Sequence, residues 1–176
     1  EGWKRTKNRR DYAMLPPGSV LIDWVKASGG KTYSIGKIGD IFSMRNIDYN
    51  FTGTDRDLMD HLRKQIYSAE DGSLIFANFV EFDSLFGHRR DPTGYAKALE
   101  WFDNEIASVV RNLLDDDLLI ITADHGNDPT WSGTDHTREQ VPILIKGKAD
   151  LIQSGIEFGD VAKLASKHLG LAIPEP

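Results

Sequence analysis

The chain has 176 residues, 40% apolar and 27% charged, the composition of an ordinary globular domain; a disordered or collagen-like polymer is excluded. Acids outnumber bases 27 to 21, giving a formal charge of −6, which argues against a global nucleic-acid footprint although Lys4, Arg5, Lys7, Arg9 and Arg10 cluster near the start. There is no cysteine, so disulfides, thiolate nucleophiles and Cys-ligated zinc are excluded, and any metal must be held by His, Asp, Glu or backbone oxygen.

No apolar run approaches the ~18 residues of a membrane span. The opening Glu1-Gly2-Trp3-Lys4 has no apolar region behind it, so no signal peptide is expected. It also lacks an initiator Met, and the chain reads as part of a longer polypeptide. Residues 1–18 are basic and then Pro-rich, and read as a connector. Ser19 is placed to cap a helix with Val20, Leu21, Trp24 and Val25 on its apolar face, stopped by Gly29-Gly30. Residues 31–36 read as a short strand, 36–44 as a loop, and 47–54 fit either class. Thr54 or Asp55 then caps a helix carrying Leu58, Met59, Leu62 and Ile66.

Residues 73–80 form an apolar run of strand length without clean alternation, which suits a strand buried on both faces. A loop follows. Asp91-Pro92 marks a helix start, with Asp at the N-cap and Pro at the first helical position. Its apolar stripe runs through Ala96, Leu99, Phe102, Ile106, Val109, Val110 and Leu113, and residues 115–117 end it in a solvated acidic run. Residues 118–122 and 141–145 are two more apolar strands. Asp160 is placed to cap a last helix with Val161, Leu164, Ala165 and Leu169, stopped by Gly170. Helices alternating with buried strands predict an α/β fold, layered α/β/α with a mainly parallel sheet. In such sheets sites lie beyond the carboxyl ends of the strands.

Three polar clusters sit at or after those ends: residues 81–91, 123–128 and 133–139. They hold His88, His125 and His136, three of the five histidines, each within a few residues of an acid. Imidazole and carboxylate together suit Mn²⁺, Zn²⁺ or Fe²⁺. Asp124 and His125 are neighbours where the chain turns at a strand end. Gly126 and Gly133 give the backbone freedom to bring the loops close. Five candidate ligands suit a two-metal site able to clamp both oxygens of a phosphoryl displacement. His61 and His168 lie in helices without an acid constellation and read as structural. Arg89 and Arg90 either pair with neighbouring acids or serve the site.

The segment Ala123-Asp124-His125-Gly126-Asn127 resembles the signature of metal-dependent mutases in the alkaline phosphatase superfamily. The segments 78–92 and 124–139, with Asn8-Arg9-Arg10-Asp11-Tyr12-Ala13 and 35–41 upstream, are similar to phosphopentomutases, in the right order along nearly the whole chain. The resemblance implies an alkaline-phosphatase-like core, present in part. Residues 1–18 would be a connector from the family's cap domain, and 19–176 the C-terminal part of the metal-binding α/β core. It implies interconversion of ribose or deoxyribose 1-phosphate and 5-phosphate through a phosphothreonine and two metal ions, Mn²⁺ being the expected ion. Asp83, His88 and His136 would hold one ion. Asp124 and His125, with a further aspartate, would hold the other. Lys37, Arg9 and Arg5 would contact the substrate phosphate.

The implied partner is a pentose phosphate, with no nucleic acid or membrane, in a cytoplasmic enzyme of nucleoside salvage. The N-terminal half that carries the family's nucleophilic threonine and one metal-binding aspartate has no counterpart here; Thr52, Thr122 and Thr134 lack the nucleophile's context. Position 81 is Glu where the family pattern leads to Asp. Two alternatives stay open: another metal-dependent phosphatase or phosphoglycerate mutase of the same superfamily, and a catalytically inert metal-binding fragment.

Overall fold

A computed structural model describes residues 12–148 and 157–172. Among the described residues five strands and five α-helices follow one another, alternating except where β5 directly follows β4. They are α1 (Leu21–Ala27), β1 (Thr32–Ile35), α2 (Ile38–Ile41), β2 (Tyr49–Phe51), α3 (Asp55–Ser68), β3 (Leu74–Ala77), α4 (Pro92–Asn112), β4 (Leu119–Thr122), β5 (Ile143–Lys146) and α5 (Phe158–His168). A π-helix, Phe82–Gly87, separates β3 from α4.

The α/β expectation holds, with strands 1 to 3 forming a parallel sheet in the order β2-β1-β3. Parallel neighbours need crossovers; α2 lies on the connection from β1 to β2, and α3 on that from β2 to β3. Strands β4 and β5 depart from the parallel pattern. They pair antiparallel in a separate two-stranded sheet, Leu119 opposite Lys146 and Thr122 opposite Ile143. No helix intervenes between them among the described residues, so the chain returns alongside itself.

Central β1 is buried at all four residues, covered on both faces. Ile35 joins Leu58, Met59 and Leu62 of α3 and Ile106 and Val109 of α4 in the main apolar cluster, with Leu119 and Ile121 of β4 packed against it. The other strands are less enclosed than their apolar runs predict. Phe76 of β3 is 39% exposed and Leu144 of β5 is 61% exposed.

Capping explains where several helices start. Thr54 caps α3, its hydroxyl accepting from the Asp57 amide while Asp57 accepts from that of Thr54. Asp91 caps α4 by accepting from the Gly94 amide at 2.9 Å, with Pro92 at the first position. Two caps fall elsewhere than expected. Helix α1 starts one residue later than a Ser19 cap would set it, because the Asp23 carboxylate reaches back to the Val20 amide at 2.8 Å. Helix α5 starts at Phe158 with Glu157 at its N-cap, and Asp160 sits in the first turn, accepting from the Glu157 amide at 2.9 Å. In both, an acid in the first turn does the capping from inside the helix.

The described end of the connector is tied to the core. The Arg45 guanidinium donates to the carbonyls of Pro16 and Gly18, and Ser43 Oγ to that of Ala13. Arg45 also pairs with Asp23 at 2.8 Å, so the same residue braces α1 and the segment before it.

Candidate metal centre

The chain leaves β3 through the π-helix, and this winding decides where the first candidate ligands point. The His88 amide donates to the Asp83 carbonyl at 2.9 Å and the Asp91 amide to that of Phe86 at 3.0 Å, each five residues back. An α-helix has 3.6 residues per turn, so residues five apart diverge. The wider i→i+5 turn brings them back to one side. Asp83 and His88 therefore face each other, His88 Nε2 lying 3.2 Å from Asp83 Oδ2.

The start of this turn is anchored on α3. Asp55, buried in its first turn, accepts from the amides of Val80 and Glu81, both at 3.1 Å. Burial pushes the Asp55 carboxyl up to about 6 from the ordinary 3.8, partly opposed by those amide bonds. On the other flank Tyr95 of α4 packs edge-on against Phe82. Burial raises its phenol, and the nearby Asp83 charge adds to the rise.

The third candidate ligand comes from the connection between β4 and β5, residues 123–142. A bridge between Gly126 and Thr137 pinches that connection, the Thr137 amide donating to the Gly126 carbonyl at 3.1 Å. The residues preceding each bridge partner are His125 and His136, and their rings stack with centroids 3.7 Å apart. Only glycine fits at 126, since a Cβ would lie 2.4 Å from the Glu139 carboxylate and 2.9 Å from its backbone nitrogen. His136 Nε2 lies 3.4 Å from Asp83 Oδ1. One donor atom each from Asp83, His88 and His136 falls within 4.8 Å of the others.

The donor set fits a divalent cation, and the tautomers say why. His88 Nδ1 lies 2.5 Å from the Thr134 carbonyl, which can only accept, so Nδ1 carries the hydrogen. In the neutral ring Nε2 then presents a lone pair to a carboxylate oxygen at 3.2 Å. Two lone pairs do not attract; a proton or a cation must lie between them. A metal-binding histidine anchored through its other nitrogen to a carbonyl is the usual arrangement. His125 repeats it, with Nδ1 3.2 Å from the Gly126 carbonyl and Nε2 3.7 Å from Asp124 Oδ1. An all nitrogen and oxygen set suits Mn²⁺, Zn²⁺ or Fe²⁺ equally.

Asp83, His88 and His136 are thus brought together, with His125 beside them. Asp124 is 71% exposed and reaches only His125. Among the described residues this pair belongs to no group of three donor atoms, although the His136 ring stacks on His125. Lys37 follows Gly36 at the carboxyl end of β1. Gly36 has φ +86°, and a Cβ there would lie 2.2 Å from the Asn78 carbonyl oxygen, so this turn abuts the chain leading into the π-helix. Lys37 makes no ion pair among the described residues; Arg5 and Arg9 lie outside them.

Sequence reasoning missed Asn127 at the centre and left Arg90 open between an ion pair and a role at the site. Asn127, 8% exposed, donates from Nδ2 to Asp83 Oδ1 at 2.6 Å. It stands in the segment Ala123–Asn127, but an amide carries no charge signal. Arg90 pairs with no acid among the described residues and bonds to carbonyls instead.

A family model described as Metalloenzyme superfamily matches residues 4–173. The chain is 44% identical over 173 residues to the phosphopentomutase of Aeromonas salmonicida (strain A449), covering 96% of this chain and 43% of that protein. It is 45% identical over 175 residues to the phosphopentomutase of Actinobacillus succinogenes, covering 97% and 44%. It is 51% identical over 163 residues to that of Shewanella frigidimarina, covering 92% and 39%. The chain spans less than half the length of these relatives.

Proposed function

Because the chain belongs to the metalloenzyme superfamily, we propose that it forms the C-terminal, metal-binding part of a phosphopentomutase. The reaction proposed is interconversion of ribose or deoxyribose 1-phosphate and 5-phosphate, in the cytoplasm, as a step of nucleoside salvage. The observation that carries the reading is the meeting of Asp83, His88 and His136 within 4.8 Å, in a chain about half identical to proteins of that name.

Asp83, His88 and His136 hold one divalent ion. Asp124 and His125 supply part of a second site, completed by an aspartate beyond this chain. Mn²⁺ is the proposed ion. When bound, such ions offset charge on the transferring phosphoryl group and lower the pKa of an attacking oxygen. The chain's own residues do the rest by orientation. Thr134 fixes the His88 tautomer and Asn127 fixes the Asp83 carboxylate. Lys37, Arg5 and Arg9 are proposed to hold the non-reacting phosphate, where charge-assisted hydrogen bonds are strongest. The phosphothreonine that exchanges the phosphoryl group lies outside this chain.

The test is turnover by the protein purified at its natural length. With Mn²⁺ it should convert ribose 5-phosphate to the 1-phosphate, ignore 3-phosphoglycerate, and lose activity on chelation. Turnover of 3-phosphoglycerate would assign a different mutase of the superfamily. Tight Mn²⁺ binding without any turnover would mark an inert metal-binding domain.

A further inference from the structure

Arg90 has φ +53°, in the left-handed region that side-chain residues rarely occupy. An outlier of this kind persists only where its surroundings hold it. Here five acceptors do. Nη1 donates to the Gly87 carbonyl (3.1 Å), Asn127 Oδ1 (2.7 Å) and the Asp128 carbonyl (2.9 Å). Nε donates to the Gly133 carbonyl at 2.5 Å and Nη2 to that of Asp135 at 2.6 Å.

These acceptors lie on all three ligand-bearing segments. Gly87 immediately precedes His88. Asn127 and Asp128 follow His125. Gly133 and Asp135 flank Thr134, whose carbonyl holds His88, and Asp135 immediately precedes His136. Asn127 extends the connection to the third ligand. A guanidinium has no acceptor and an ionised carboxylate no donor, so Asn127 must turn Oδ1 to Arg90 and Nδ2 to Asp83. Gly87 permits this approach, because a Cβ there would lie 2.5 Å from Asn127 Nδ2.

We propose that Arg90 is a positioning residue that sets the Asp83–His88–His136 geometry before any metal binds. It acts on Asp83 through Asn127 and on His88 through the backbone around Thr134. Nε and both N–H groups of Nη1 are taken by four acceptors and one N–H of Nη2 by the fifth, so four of the five guanidinium N–H groups are engaged within the protein. Most of the hydrogen-bonding capacity of Arg90 is therefore committed to these segments rather than to a substrate phosphate. Lysine cannot replace it, because an ammonium is a compact point charge without the planar fork.

The inference rests on the metal-centre reading, and its test separates the two. It uses the natural-length protein, free Mn²⁺ measured by electron paramagnetic resonance, and ¹⁵N spectra of the histidine rings in the metal-free state. The metal-free wild type should show His88 locked with hydrogen on Nδ1. Arg90→Lys and Arg90→Met should each release that lock and weaken Mn²⁺ binding by about 10- to 100-fold, as loss of an outer partner does. Asn127→Ala should weaken Mn²⁺ binding comparably, and the double variant should be little worse than either single one. Wild-type Mn²⁺ affinity and an unchanged His88 signal in Arg90→Lys, with a raised KM for ribose 5-phosphate, would overturn the proposal in favour of an anion contact. If the Arg90 variants do not fold, averaged His88 signals in the metal-free wild type, or an unaffected Mn²⁺ affinity in Asn127→Ala, would overturn it as well. A wild type that locks His88 and binds Mn²⁺ but turns over no pentose phosphate would defeat the functional reading alone.

Discussion

The two halves of the candidate site are built to different standards. Around Asp83, His88 and His136 each ligand leans on another protein group. Asn127 holds Asp83, the Thr134 carbonyl holds His88, and the His125 ring stacks on His136. Asp124 is 71% exposed and, among the described residues, pairs only with His125. The first half can present a three-donor face by itself, because its partners come from this chain. The second has two donors, short of the three protein ligands that an open metal site commonly uses. Its scaffold differs too. The π-helix is anchored through buried Asp55 to α3, whereas Asp124 hangs from β4, one strand of a separate two-stranded sheet.

The strongest way to break this comparison is to remove one ligand from each half and titrate Mn²⁺ calorimetrically. Asp83→Ala should weaken the tighter ion by more than about 100-fold, beyond what loss of an outer partner costs. Asp124→Ala should leave that ion's affinity near the wild-type value and affect only a weaker one. Equal losses from both variants would mean that the halves form one cooperative site. A smaller effect is expected at Gly87. Gly87→Ala places a Cβ 2.5 Å from Asn127 Nδ2 and must push the amide off Asp83. The expected cost is about tenfold in Mn²⁺ affinity with all three ligands intact. An unchanged affinity would show that Asn127 is not needed to aim the carboxylate.

The difference between the halves also marks what the sequence could disclose. Three clusters of His and acid at or after strand ends were legible as residue types, and the resemblance picked Asp83, His88, His136, Asp124 and His125 out of them. Thr54, Asp91 and Pro92 announced α3 and α4 because capping is local. The π-helix was not legible and reads as a loop, since nothing in Phe82–Gly87 signals an i→i+5 repeat. Yet that repeat is what turns His88 toward Asp83. Arg90 shows the same limit. Its sequence neighbours left an ion pair and a role at the site both open, and its partners are carbonyls and one amide up to 45 residues away. Backbone acceptors leave no trace in a sequence. The apolar runs at β3 and β5 predicted enclosure that Phe76 and Leu144 do not show. A run of apolar residues specifies which side chains seek cover, not which neighbours supply it.

The mildest test bears on the anchor of the better-built half. Asp55 is 3% exposed and its carboxylate accepts the amides that start the π-helix turn. Its carboxyl is held up at about 6, against 3.8 in an unstructured chain. The folded state therefore binds this proton more tightly than the unfolded state does. The resulting stabilisation is complete below about pH 4 and is lost as pH rises through 6. Two pK units correspond to roughly 3 kcal/mol, an upper figure for that loss. Asp55→Asn carries no titrating proton, so its stability should not share this slope. In denaturant titrations at pH 4, 5, 6 and 7, the variant should gain roughly 2–3 kcal/mol on the wild type across the series. A single amide oxygen serves two backbone donors less well than a carboxylate, so Mn²⁺ affinity at pH 7 should fall by about two- to threefold, less than for Gly87→Ala. Parallel pH profiles for the two proteins would mean that Asp55 titrates as an ordinary carboxyl. The contrast between the two halves would then rest on the contacts that hold Asp83, His88 and His136 themselves.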